Sequence, residues 1–160
     1  VTGEEIYSEI VNGIITVLRD NVEDPDTDRS GAGRNFIYDR WPNETATMPR
    51  ISLTALPHGD TECMDISTLD ELVNTQVQID IWVNDKSTFT ISGETYNKSK
   101  LLDYLAGKVT HALRSHAADL AGFNIHGMKR TRPFGDMASG IDNVIRSIGE
   151  YEVIYYQSYD

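Results

Sequence analysis

Ten residues in the middle of the chain, Thr75 to Asn84, alternate without a break. Val77, Ile79, Ile81 and Val83 fall on one face of an extended backbone, with Gln76, Gln78, Asp80 and Trp82 on the other. A helix cannot use this pattern, because its apolar stripe recurs every three to four residues. The chain must therefore build a sheet and bury one side of this strand. The opposite side is polar except for Trp82, which predicts a wet or partner-facing surface there.

Two helices are predicted to cover the buried side. In the first, Thr2 and Glu5 have capping-box spacing and Glu4 and Glu5 complement the helix dipole. Ile6, Ile10, Ile14, Val17 and Leu18 then form one stripe, widened by Val11 and Ile15. This pattern stops near Asn21, ahead of Asp24-Pro25-Asp26. The second helix is expected from about Lys98 to Leu120, with Leu101, Leu105, Val109, Ala112 and Leu113 as its stripe and Gly122 as its stop.

Further strands are expected at Asn35–Trp41, Pro49–Leu56, Thr88–Ile91, Phe123–Pro133 and Ile145–Tyr156. Asp24 to Arg34 reads as a loop around Gly31 and Gly33, lacking the Gly-Lys-Ser/Thr ending of a phosphate loop. Pro57 to Asn74 reads as acidic and irregular, with a weak helical turn at Ser67–Val73. The expected fold is α+β: a single domain over residues 1–160. Its one mostly antiparallel or mixed sheet of four to five strands carries an N-terminal helix and a long central helix.

Composition narrows the function. A length of 160 residues suits one domain, and a 39% hydrophobic content supplies its core. No apolar run approaches the roughly 18 residues of a membrane span, and Val1-Thr2-Gly3-Glu4-Glu5 is acidic where a secretory signal is basic. The single cysteine, Cys63, excludes an internal disulfide and a cysteine-built zinc site. These features predict a soluble, intracellular chain.

The net charge of −11 disfavours general affinity for nucleic acid or anionic membranes. Asp outnumbers Glu 15 to 10, and Arg outnumbers Lys 9 to 5. That balance fits a protein kept hydrated in concentrated salt, against the alternative of an ordinary acidic protein.

Catalytic constellations are scarce. His58, Asp60, Cys63 and Asp65 lie close in sequence, yet their spacing matches no established zinc pattern. A solvated acidic loop is the competing reading; a small metal-dependent hydrolase using His58, Asp60 and Asp65 is the enzymatic alternative. His111 and His116 are five apart and point away from each other on a helix. No nucleophile elbow or His-Glu-x-x-His helix is present. The expectation is a non-enzyme with no cofactor, no resident metal and no catalytic residues.

Two basic clusters stand against the acidic background. Arg29 and Arg34 flank the glycine loop, and Lys129, Arg130 and Arg132 fall within four positions. Arginine pairs well with carboxylates, so the second cluster is a candidate for meeting acidic residues of an identical neighbour, against the alternative of a solvated strand end. Tyr151, Tyr155, Tyr156 and Tyr159 crowd the last ten residues, giving the final strand large side chains on both faces.

The order of elements resembles one family. An N-terminal helix ending near Asp24-Pro25, then Pro49-Arg50-Ile51-Ser52-Leu53, then Val77-Gln78-Ile79-Asp80-Ile81-Trp82-Val83 looks like the tail-terminator or tail-completion proteins of long-tailed viruses. The helix beginning Lys98-Ser99-Lys100-Leu101-Leu102 and the two closing strands fit the same scheme. The resemblance spans nearly the whole chain and rests on element order and strand texture, with no signature motif.

It implies an α+β subunit of a six-membered ring in the virion, assembled in the host cytoplasm. Such a ring caps the tail tube and joins it to the head, with DNA passing through without sequence recognition. Its partners would be the major tail-tube protein and a head-tail connector or stopper. With the salt signature, the host would be a halophilic archaeon. Another neck component, such as a stopper or head-completion protein, fits the same layout.

Within that implication, Arg130 and Arg132 would meet acidic residues from Asp60 to Asp65 on the next subunit. Trp82's strand would offer a second surface. The Gly31–Gly33 loop would point to the lumen or to a partner, with Arg29 and Arg34 beside it as candidate interface residues.

Overall fold

A computed structural model describes residues 3–29, 36–42, 47–65 and 70–157, with side chains over 8–29, 36–42, 47–55 and 72–156. Ten elements follow in order: α1 (Gly3–Asn21), β1 (Ile37–Tyr38), β2 (Arg50–Asp65), β3 (Asp70–Asn84), β4 (Thr88–Ile91), β5 (Glu94–Asn97), α2 (Lys98–Ser115), α3 (Ala117–Ala121), β6 (Ile125–Ala138) and β7 (Val144–Gln157). The chain is α+β. A mixed five-stranded sheet runs in the order β1-β2-β3-β7-β6, and β4 and β5 form a separate small hairpin. Among the described residues, only the β1–β2 pair is parallel.

The alternating strand lies at the centre of this sheet. β3 pairs with β2 on one side and with β7 on the other, so both of its hydrogen-bonding edges are occupied. Val77, Ile79, Ile81 and Val83 are all fully buried beneath the helices. Each such side chain contributes roughly 1.5–3 kcal/mol relative to exposure. Ile51 and Leu53 extend the apolar face through β2, as Tyr151, Val153 and Tyr155 do through β7. Ile14 and Leu18 of α1 and Leu101, Leu105 and Val109 of α2 close over it in one core.

Several elements differ from the periodicity. The stretch read as irregular over Pro57–Asn74 is mostly strand: β2 continues to Asp65 and β3 begins at Asp70. The expected helical turn at Ser67–Val73 is extended over residues 70–73, and residues 66–69 lie outside the described residues. Register shifts between Leu56 and Asp60 and between Thr61 and Cys63 carry the ladder past Pro57 and Gly59. Those shifts break the two-residue alternation, so the side-chain pattern hid the strand.

The strand expected at Asn35–Trp41 shortens to Ile37 and Tyr38. β6 runs beyond Pro133 to Ala138 by similar shifts on an edge, where a proline is tolerated. The long helix divides at His116, whose φ of −117° and ψ of 36° leave the helical region. His116 Nδ1 then meets Asp119 Oδ2 at 2.9 Å in the first turn of α3.

Gly13 sits inside α1 for a packing reason. A Cβ built there would lie 2.7 Å from Phe123 Cγ and 2.8 Å from Phe123 Cβ, so the residue following α3 and Gly122 packs directly on the helix backbone. Alanine would raise helix propensity by about 1 kcal/mol, but overpacking costs about 1–3 kcal/mol. The clash wins because Phe123 Cβ is held close to its own backbone. Gly13→Ala is therefore expected to lower the urea midpoint in the native chain. In a Phe123→Gly background, which removes both crowding atoms, the same change should raise it. A rise in both backgrounds would show that Phe123 yields freely.

Candidate functional site

The basic run on β6 does not form one patch. Arg130 is opposite Tyr151, on the helix-covered side of the sheet, and Lys129 is opposite Glu152 on the other. A register shift follows, and Arg132 is opposite Glu150 instead of returning to the side of Arg130. Arg132 approaches Glu150 Oε1 at 3.6 Å, and both side chains are partly exposed, so this pair adds little stability. All three basic residues are exposed on the outer strand of the sheet.

The other long edge belongs to β2. β1 pairs only with Ile51 and Ser52, so Leu53 to Asp65 has no strand on its outer side among the described residues. Asp60 and Asp65 lie in this stretch, opposite Asn74 and Asp70. The side chains of His58, Asp60, Cys63 and Asp65 fall outside the described set. Among the described residues, no three His, Cys, Asp or Glu side chains are grouped to hold a metal.

Arg29 is placed otherwise than its exposed-loop reading suggests. It pairs with Asp24 at 2.5 Å, donates to the carbonyls of Thr47 and Pro49 at 2.8 and 2.6 Å, and lies over the Phe36 ring. Its side chain is only 4% exposed. It ties the segment after α1 to the entry of β2. Arg34, with the Gly31–Gly33 loop, lies outside the described residues.

Trp82 is also a correction: it is 1% exposed, so its side of β3 is not open around it. The indole donates to Ser52 Oγ at 2.9 Å and meets Trp41 edge-on at 5.6 Å. The Arg146 guanidinium lies over both indoles, at 5.1 and 5.0 Å from their centroids. It also approaches the fully buried Asp80 at 3.8 Å. Gln78 donates to both Asp80 oxygens, at 3.2 and 2.9 Å. Sequence alternation marked this face polar, but neither Trp41 from the loop nor Arg146 from β7 was visible in the β3 pattern.

A cleft lies behind β6, where α2 and α3 meet the sheet. It holds about 530 Å³ and is lined by Arg114, Arg130, Leu113, Ile125, Met128 and Tyr151, among others. A neighbouring hollow of about 440 Å³ shares Thr110, Arg114 and Arg130 with it. Burial pushes the Tyr151 phenol pKa up, against the pull of Thr110, Arg130 and Arg114. Sequence reading missed Arg114 and marked Tyr151 only as one of the large side chains on the final strand, and it belongs to the core. The usable signal was Arg114 one turn after Thr110, beside the apolar stripe of α2.

Asp80 gives this region a pH signature. Burial raises its pKa above the usual 3.8, outweighing the lowering by Gln78 and Arg146, while Glu150 adds to the rise. A carboxyl with a raised folded pKa favours the folded state most when protonated, and that contribution is lost as pH rises through the folded value. Asp80→Asn should therefore be at least as stable as the native chain near pH 7. Its urea midpoint should fall relative to the native one on acidification to about pH 4. The opposite trend would mean that Arg146 pairing dominates burial. In comparison with known proteins, no family model and no curated protein matches the chain.

Proposed function

We propose that the chain is a ring-forming structural subunit of a viral tail neck, of the tail-terminator type, and not an enzyme. The observation supporting this reading is the opposition of charge across one sheet. β6 carries Lys129 and Arg132 on the face away from the helices at one edge, and β2, beyond its short pairing with β1, carries Asp60, Glu62 and Asp65 along the opposite edge. A subunit with unlike, complementary edges associates head to tail, and such contacts close into a ring when the rotation per step permits. Neither edge complements itself, which disfavours a two-fold dimer through the same strand.

The contact is made by side chains. Pro133 lacks a backbone donor, and three register shifts interrupt β6, so no long ladder can form across this edge. Guanidinium–carboxylate pairs would supply register instead. On this reading one ring face ends tail-tube growth, the other receives the head connector, and DNA passes through the lumen. Assembly takes place in the host cytoplasm and the ring remains in the virion. The acidic remainder of the surface keeps the subunit hydrated in high salt.

Light scattering tests the ring. Six copies of 17.9 kDa give a species of about 107 kDa, expected in molar KCl. Lys129→Glu with Arg132→Glu should reduce it to monomer without loss of folded circular dichroism. Adding Asp60→Lys and Asp65→Lys to that variant should restore the larger mass. An unchanged mass in the double variant rejects this edge, and a native monomer at every concentration rejects autonomous ring closure.

A further inference from the structure

The cleft behind β6 opens at the margin of the core, which supplies Leu113, Leu120, Ile125 and Tyr151 to its wall. Leu113, Leu120, Ile125 and Met128 give it an apolar lining. Its polar lining is Thr110, Arg114, His126, Lys129, Arg130 and Tyr151, of which Arg114 from the last turn of α2, Arg130 from β6 and Tyr151 from β7 come from separate elements. In a chain with 25 acidic residues, neither guanidinium has a carboxylate partner among the described residues. Tyr151 is 5% exposed, and its hydroxyl, beside Thr110, makes no close, well-aligned hydrogen bond among the described residues. A buried hydroxyl left without a partner is unfavourable, and a ligand oxygen relieves it.

We infer that this cleft binds a carboxylate carried on an apolar body. The carboxylate takes charge-assisted hydrogen bonds from Arg114 and Arg130 and accepts one from the Tyr151 hydroxyl. The apolar part lies on Leu113, Leu120, Ile125 and Met128. The cleft's 530 Å³ falls within the roughly 300–1,000 Å³ of small-ligand sites. This inference does not rest on the ring: its carboxylate-binding groups are Arg114, Arg130 and Tyr151, Lys129 lines the cleft without being one of them, and Arg132 does not line it. The same chemistry has two sources: a free aliphatic or aromatic acid, or an aspartate or glutamate beside apolar residues on a second copy of this chain.

Calorimetric titration of the full chain with hexanoate tests the site, with hexanamide and acetate as controls. Saturable binding is expected for hexanoate, at least about tenfold tighter than for either control. Arg114→Gln and Arg130→Gln should each weaken it about tenfold without lowering the Tm. Tyr151→Phe should weaken binding while raising the ligand-free Tm, a combination that a purely structural tyrosine would not give.

Light scattering on the same samples separates the sources. Unchanged mass assigns the site to a free acid, and dissociation of an oligomer by hexanoate assigns it to a second copy. The inference is overturned if hexanamide binds as tightly, if both arginine variants keep native affinity, or if no saturation occurs below about 10 mM.

Discussion

The architecture depends on a single strand having neighbours on both edges. β3 pairs with β2 and β7 along nearly all of its length, and its four central apolar side chains are sealed under the helices. Each remaining element is positioned relative to that ladder. β7 brings Tyr151, Val153 and Tyr155 into the core, and it carries β6 outward to become the edge. α1 and α2 need only complementary stripes to pack above. A one-residue slip of β3 would turn Gln76, Gln78 and Asp80 into the core, so register and burial enforce one another.

What could be read in the residues was whatever repeats regularly. The helical stripes of α1 and α2 and the alternation of β3 and β7 follow from side-chain period alone. The distal half of β2 escaped because Pro57, Gly59 and two register shifts spoil its alternation, while the backbone ladder with β3 continues regardless. The break at His116 escaped because the apolar stripe runs on to Leu120, and a local backbone turn leaves that stripe nearly in phase. Sites were less legible than elements. Arg29 looked like a loop cation until Asp24, Thr47 and Pro49 were brought around it, and Trp82 looked exposed until Trp41 and Arg146 closed over it. Both outcomes depend on residues far away in sequence, which periodicity cannot see.

Charge in this molecule is partitioned rather than merely abundant. Some cations are held internally: Arg29 by Asp24, and Arg146 over two indoles beside Asp80. Others stand on the outermost strand or point into the cleft. A single register shift after Arg130 separates those two groups, sending Arg132 to Glu150 and leaving Arg130 with Tyr151. At high ionic strength the Debye length shrinks to about 3 Å, so only charges in near contact retain influence. Under such conditions the close geometry of each guanidinium matters more than the overall charge of −11.

Pro133 and the interrupted pairing of β6 carry a consequence for colloidal behaviour. A smooth outer strand of fourteen residues would be a template on which further chains could extend indefinitely, as in fibrillar deposits. The missing amide and the offset backbone deny it that continuity. Contacts through this edge should therefore come apart on dilution, rather than persist as backbone hydrogen bonds.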